Sequence, residues 1–260
     1  NQATYGKVLL AEDNPVNQQV AKAMLSKLGV RMVLAQNGQE AVQKVQAEHF
    51  DLVLMDCQMP IVDGYEATTS IRELPNPQGK IPIVALTANA MSDDQKKCSD
   101  AGMNDFLSKP YSLEQLKTIL TRWIQNNEKQ ATDLPQEDLP NIDTNNPTLN
   151  PQQLETFRSL DPDGEMNLAH EVLSTFQSTA PKYFNQIEQG VLMQNNPQLK
   201  SAAHAIKSSA ANIGADGLSA LCQKLEKCAR DNQTAETEKL FYEFKQEYEK
   251  VLGAIKGLLK

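Results

Sequence analysis

Five short apolar runs, interrupted by amphipathic stretches, restrict what residues 7–126 can fold into. Each run is bounded by polar or turn-forming residues, as is typical of a buried β-strand. The stretches between the runs have the apolar spacing of helices, and this alternation predicts a parallel sheet with helices on both faces. The runs are KVLLAED, RMVLAQN, DLVLMDC, IPIVALT and NDFLSKP.

Capping signals support two of the helices in this region. Pro15 suits the first helical position, and Gly29 is placed to end the same helix. Ser112 precedes the last helix and has Gln115 three residues later, which predicts a capping box.

The remainder of the chain predicts a linker followed by helices only. Residues 127–150 are rich in Asn, Asp, Glu, Gln and Pro, which favours a flexible linker. The last four helical segments of residues 151–260 are long enough for an antiparallel four-helix bundle. We therefore expect one domain over residues 1–126 and a second over 151–260. The helical segments are 151–159, 166–179, 181–194, 197–213, 216–231 and 234–258.

Composition and charge exclude several classes of protein. The net charge is −8 and neither half of the chain is basic, which disfavours binding to nucleic acid. No apolar run reaches the length of about 18 residues that spans a bilayer, so we expect no membrane contact by this segment. Because the chain starts at Asn1, without a methionine, we expect a fragment of a longer protein. Four cysteines without metal-ligand spacing suggest reduced thiols.

Reactive side chains follow the predicted strands at the point where each strand ends. Glu12 and Asp13 follow the first strand, Asp56 the third, Thr87 the fourth and Lys109 the fifth. Ligands bind at this edge of an open parallel sheet. Three carboxylates in one place need a compensating cation, and Mg²⁺ prefers such oxygen ligands. The pattern predicts a phosphoryl site with Asp56 as nucleophile, assisted by Lys109 and Thr87.

A second candidate site lies in the segment HAIKSSAANIGA of the helical half. His204, Lys207, Ser208 and Ala211 share one helical stripe, whose small residues leave room for a partner to approach the imidazole. Histidine can act as a nucleophile, and Lys207 would offset the charge of a phosphoryl group. Glu226, on the next helix, is a candidate to fix the ring tautomer; alternatively, it is a solvated acid.

Residues 7–126 resemble the receiver domain of two-component response regulators. The motifs that carry this resemblance are AEDN, LVLMDCQMPIVDG, ALTA and LSKP. The resemblance implies a flavodoxin-like, doubly wound α/β fold with a five-stranded parallel sheet of order 2-1-3-4-5. It implies an aspartyl phosphate on Asp56, sensed by Thr87 and Lys109. It also implies Mg²⁺ (or Mn²⁺) held by Glu12, Asp13, Asp56 and the backbone carbonyl of Gln58. Phe106 stands at the position of that family's switch aromatic residue. The family's Lys–Pro bond, here Lys109–Pro110, is usually cis.

The helical half resembles a histidine-containing phosphotransfer (Hpt) domain, which is an all-α four-helix bundle. The segments that carry this resemblance are HAIKSSAANIG and LEKCAR. Ile206 and Ser208 replace the leucine and glycine of that family's signature. The resemblance implies that His204 exchanges a phosphoryl group with receiver aspartates, without an ATP site or kinase activity of its own.

The two resemblances in this order match the C-terminal end of a bacterial hybrid sensor histidine kinase. Phosphate would then pass from a kinase core upstream to Asp56, to His204 and on to a separate response regulator, or in reverse. We expect this segment in the cytoplasm and its full-length parent in the inner membrane.

Two other functions are compatible with parts of the pattern. A pure docking module would bind partners without phosphoryl turnover. An aspartyl-phosphate hydrolase would usually have a second aspartate where Gln58 stands, so this alternative has little support. The acidic C-terminal half disfavours a DNA-binding regulator.

Overall fold

A computed structural model describes residues 6–87, 92–125, 148–161, 164 and 167–260, which form two compact units. The first unit alternates strands and helices, as predicted. Most of the predicted linker, 127–150, lies outside the described residues. The elements of the first unit are β1 (Lys7–Ala11), α1 (Pro15–Lys27), β2 (Arg31–Ala35), α2 (Gly38–Ala47), β3 (Leu52–Asp56), α3 (Gly64–Arg72), β4 (Ile83–Thr87), α4 (Ser92–Ala101), β5 (Asp105–Ser108) and α5 (Leu113–Leu120).

The five strands form one parallel sheet in the order β2-β1-β3-β4-β5, which confirms the predicted topology. All residues of β3 and β4 are buried, which explains why these strands are continuous apolar runs in the sequence. The register pairs Asp56 with Leu86 and Thr87 with Ser108, so the carboxyl ends of β3, β4 and β5 meet at one edge.

The predicted helix ends are present. Gly29 has φ +73°, and the amide of Val30 donates to the carbonyl of Leu25, closing α1 with a left-handed residue. Ser112 and Gln115 form the reciprocal capping box at the start of α5.

A short π-helical turn, Thr121–Gln125, continues α5 and is tied to the start of β5. The Asp105 carboxylate accepts hydrogen bonds from Arg122 Nη1 at 2.6 Å and from Trp123 Nε1 at 2.9 Å. These bonds hold the half-buried Trp123 ring against the unit, so its fluorescence will report on the folding of the first unit.

The second unit consists of helices. α7 packs on α8, α8 on α9, α9 on α10 and α10 on α7, which closes a four-helix ring, and α6 packs on α7. Its elements are α6 (Pro151–Leu160), α7 (Leu168–Leu192), α8 (Asn196–Asn212), α9 (Asp216–Asp231) and α10 (Thr234–Leu258).

One prediction for this unit is wrong. The segments 166–179 and 181–194 are a single helix, α7, with Pro181 in its interior. Proline removes one backbone hydrogen bond and favours a break. Here the helix continues because the residues beyond Pro181 are packed on α10, where the Phe184 ring stacks on Phe244 and Tyr248. Tertiary burial therefore outweighs the local preference.

The structure also bears on what the sequence predicted for the cysteines and for membrane-spanning segments. Each of the four cysteines is a free thiol, although Cys57 Sγ and Cys98 Sγ lie 3.9 Å apart. None of the described helices combines the length and apolar character needed to cross a bilayer.

Candidate functional site

The strand-end residues of the first unit converge on an acidic pocket. Asp56 is the last residue of β3, Glu12 follows β1 directly, and Lys109 follows β5 directly. Parallel strands bring these ends to one edge of the sheet, as the sequence predicted. Lys109 Nζ lies 2.5 Å from Glu12 Oε2 and 2.6 Å from Asp56 Oδ2, so one ammonium group bridges two carboxylates.

Burial controls the charges in this pocket. The side chains of Lys109, Glu12 and Asp56 are at most 6% exposed. Burial by itself would lower the pKa of Lys109, but the carboxylates of Asp56 and Glu12 raise it well above its usual range. Burial, opposed by Lys109 and assisted by the charges of Asp56 and Asp13, raises the pKa of Glu12 to about 8. The pocket therefore contains a fixed positive charge and an excess of carboxyl groups.

Three of these carboxyl groups have the spacing of a cation site. Ligand oxygens of Glu12, Asp13 and Asp56 all lie within 4.8 Å of one another. A hard divalent cation such as Mg²⁺ prefers carboxylate oxygens, so the donor set fits this ion. The amide of Gln58 donates to Asp56 Oδ1 at 3.1 Å, which orients the aspartate. The role of the Gln58 carbonyl as a ligand stays a prediction.

The other predicted residues of this site lie around the pocket. Thr87 is buried at the end of β4, and the Lys109–Pro110 peptide bond is cis, as the resemblance implied. Phe106 is half-buried in β5, opposite Ala85, and packs against the core. Its role as a switch stays a prediction.

Tyr111 belongs to the surroundings of the pocket and was missed in the sequence. Burial raises the pKa of the Tyr111 phenol, and the nearby Glu12 and Asp56 raise it further while Lys109 lowers it. Its only sequence signal is that it follows Lys109 and Pro110 directly.

The second predicted site is a triad across two helices. His204 Nδ1 lies 2.7 Å from Glu226 Oε1, and the other carboxylate oxygen, Oε2, accepts a hydrogen bond from Lys207 Nζ. Burial would raise the pKa of Glu226, but the hydrogen bond from His204 and the charges of His204 and Lys207 lower it overall. Of the two interpretations of Glu226, the structure supports the one in which it holds the imidazole.

The small residues of the histidine stripe are on the same helix. Ser208 and Ala211 lie on α8, about one and two turns beyond His204, so they share its face. α9 runs back along α8 after the turn at Gly214, which has φ +76°, and this reversal brings Glu226 to His204.

Both units belong to phosphorelay domain families. Residues 8–121 match the response regulator receiver domain, and residues 171–254 match the Hpt domain. The chain is therefore a receiver domain followed by an Hpt domain. These are the domains of phosphorelay signalling, in which a receiver aspartate accepts a phosphoryl group and an Hpt histidine transfers one.

The relatives are histidine kinases. The chain is 30% identical over 229 residues to the signal transduction histidine-protein kinase BarA of Escherichia coli K12, a match that covers 88% of this chain and 24% of BarA. It is 42% identical over 134 residues to hybrid signal transduction histidine kinase K of Dictyostelium discoideum, covering 49% of this chain and 11% of the kinase. The chain thus spans at most about a quarter of these relatives.

Among solved structures, the first unit is similar to the receiver domain of sensor histidine kinase PA1611 from Pseudomonas aeruginosa PAO1, which has magnesium coordinated in its active site cleft. The identity is 47%, the match covers 48% of this chain and all of that one, and the TM-score is 0.45.

Proposed function

We propose that this chain relays a phosphoryl group between Asp56 of its receiver domain and the histidine of an Hpt domain, which in this chain is His204. The observation that carries the proposal is the position of Asp56. Its carboxylate is bound by Lys109 at 2.6 Å and lies within 4.8 Å of the carboxylates of Glu12 and Asp13. A nucleophilic carboxylate, a fixed cation and a cation site are what phosphoryl transfer to an aspartate needs.

On the receiver, an Asp56 oxygen forms a bond to phosphorus while the bond between phosphorus and the donor atom breaks. Gln58 N–H and Lys109 Nζ hold the two Asp56 oxygens and set the direction of attack. Glu12, Asp13 and Asp56 would hold Mg²⁺ or Mn²⁺. When bound, the cation supplies positive charge for the carboxylates and the phosphoryl oxygens. Lys109 stabilises charge on the same oxygens, and Thr87 is placed to donate a hydrogen bond.

On the Hpt domain, Glu226 prepares the histidine for attack. A neutral His204 that donates from Nδ1 to Glu226 keeps the lone pair on Nε2, which then forms the bond to phosphorus as the bond to the aspartate oxygen breaks. The ring becomes positively charged during this step, and the carboxylate of Glu226 stabilises it. Lys207, held on the other oxygen of Glu226, offsets the negative charge of the phosphoryl group.

The partners follow from this chemistry. The upstream donor would be the phosphohistidine of a histidine kinase core, and the downstream acceptor would be the receiver of a separate response regulator. The similarity to BarA supports a place for this chain within a histidine kinase. In that case residues 127–150 would act as a tether, and the parent would place this segment in the cytoplasm.

Site mapping with a small phosphodonor tests the proposal. The parent chain and the variants Asp56→Asn and His204→Gln are treated with acetyl phosphate and Mg²⁺, and phosphate is located by mass and by its lability to acid or base. Asp100→Asn, an exposed acid on α4, and His170→Gln are matched controls.

We expect label on Asp56 and on His204, with the His204 label lost in Asp56→Asn and the controls unchanged. Label on Asp56 alone would restrict the function to a receiver whose Hpt partner is another protein. No label on Asp56 would refute the proposal.

A further inference from the structure

The loop from β3 to α3 contains a strained residue. Ile61 has φ +73°, and the amide of Val62 donates to the carbonyl of Pro60 at 2.9 Å, which makes Ile61 the centre of a γ-turn with positive φ. This turn is rare and strained, and a β-branched side chain is among those least suited to positive φ. Glycine or asparagine would adopt the same conformation more easily.

Burial does not compensate for this strain. The Ile61 side chain is 77% exposed. Its neighbours behave differently: Met59 is buried and Val62 packs against the core. An apolar side chain that is both strained and exposed gains nothing from the fold of its own domain, and such outliers concentrate at functional sites.

The loop holds Ile61 in a fixed position. The carbonyl of Val62 accepts from the amide of Gly38 at 3.0 Å, and a Cβ at Gly38 would lie 2.5 Å from that oxygen. After the turn, Asp63 caps α3, and its carboxylate accepts from the amide of Glu66 at 2.8 Å. These anchors directly follow the turn, so little ordering is needed when a partner binds Ile61.

The turn also stands beside the phosphoryl acceptor. Ile61 follows Asp56 by five residues, and the loop then returns so closely that a Cβ at Gly64 would lie 2.1 Å from the Asp56 carbonyl oxygen. Asp56 itself is buried, so a histidine that reaches its carboxylate must bring its helix over the rim of the pocket. Ile61 is an exposed apolar residue in the loop that follows Asp56 at this edge of the sheet.

We propose that Ile61 is an apolar docking residue for the histidine-bearing helix of an Hpt domain and helps to select which Hpt domain the receiver accepts. The occupant would present small side chains beside its histidine, as α8 does at Ser208 and Ala211. Such side chains leave space for a branched apolar group, and its burial on docking supplies the stabilisation that the free receiver lacks. This inference rests on the proposed function.

Intermolecular transfer between full-length chains tests it. The donor is the His204→Gln chain phosphorylated on Asp56 by acetyl phosphate, and the acceptor is the Asp56→Asn chain, which offers His204. The donor carries Ile61, Ile61→Val or Ile61→Thr, and transfer is expressed per labelled Asp56. Valine and threonine have the same shape and the same backbone preference, so this pair isolates apolarity.

We expect Ile61→Thr to lower kcat/KM for transfer about tenfold, mainly through KM, and Ile61→Val to change it by less than about threefold. A tenfold change corresponds to about 1.4 kcal/mol. Equal rates for the valine and threonine donors would overturn the docking role and leave the proposed function intact. A parent donor that acquires no label on Asp56 would overturn both.

Ile61→Asn separates docking from folding, because asparagine tolerates positive φ. We expect its urea midpoint to equal or exceed that of the parent chain while transfer falls about tenfold. A lower midpoint, or an unchanged transfer rate, would show that Ile61 serves the fold and not the partner.

Discussion

Replacing Asp13 by asparagine is expected to stabilise the receiver unit in metal-free buffer and to remove its stabilisation by Mg²⁺. In the folded chain, ligand oxygens of Glu12, Asp13 and Asp56 lie within 4.8 Å of one another, whereas in the unfolded chain Asp56 is far away and all three are hydrated. Asparagine has the size of aspartate without its charge, so the substitution isolates the repulsion.

The magnitude follows from that spacing. Two full charges at this separation repel by about 3.5 kcal/mol at an effective dielectric constant near 20. Lys109 offsets part of the repulsion, because its Nζ lies 2.6 Å from Asp56 Oδ2. Burial also raises the pKa of Glu12, which reduces the share of this carboxyl in the repulsion. We therefore expect a net gain of about 1–2 kcal/mol in the free energy of unfolding.

Urea unfolding with and without Mg²⁺ measures this gain. Trp123 is the one tryptophan of the chain and lies in the receiver unit, so its fluorescence reports this unit alone. A gain of about 1–2 kcal/mol moves the midpoint by roughly 0.5–1 M urea. Asp100→Asn, at an exposed position, is the control and should leave the midpoint unchanged. A lower midpoint for Asp13→Asn in the presence of a chelator, or an undiminished response to Mg²⁺, would refute this account of the pocket.

Three further predictions concern single contacts. Glu226→Gln replaces a charged hydrogen bond to His204 by a neutral one, a difference of about 1–2 kcal/mol. In single-turnover quench experiments this change should slow phosphoryl transfer to His204 roughly 5- to 30-fold. An unchanged rate would exclude an electrostatic role for Glu226. Because the pKa of Glu226 is lowered on folding, its stabilisation is present above its unfolded pKa of about 4.3 and is lost as the pH falls through the lowered value. Acid titration followed by far-ultraviolet circular dichroism should show this loss in the helical unit of the parent chain and not in Glu226→Gln. Ser112→Ala removes the capping box with Gln115 and should lower the stability of the receiver by about 0.5–2 kcal/mol in urea, whereas Ser112→Thr, which retains the cap, should change it less.

The sequence determined most of the architecture because its signals are local. Apolar runs, Gly29 and the Ser112–Gln115 pair act within a few residues, and parallel topology then brings every strand end to one edge. Glu12, Asp56 and Lys109 therefore meet in the structure, as expected from their places at the ends of β1, β3 and β5.

The tertiary structure decided what depends on distant groups. Pro181 signalled a break, yet packing of Phe184 on α10 continues the helix through it. Glu226 reaches His204 because α9 folds back along α8. Residue spacing in the sequence does not specify which side chains of two neighbouring helices point toward each other. Ile61 keeps a positive φ, against the preference of its own side chain, in a turn whose next residue, Val62, is bound by the distant Gly38. Local chemistry thus determined which groups are present, and long-range packing determined which of them touch.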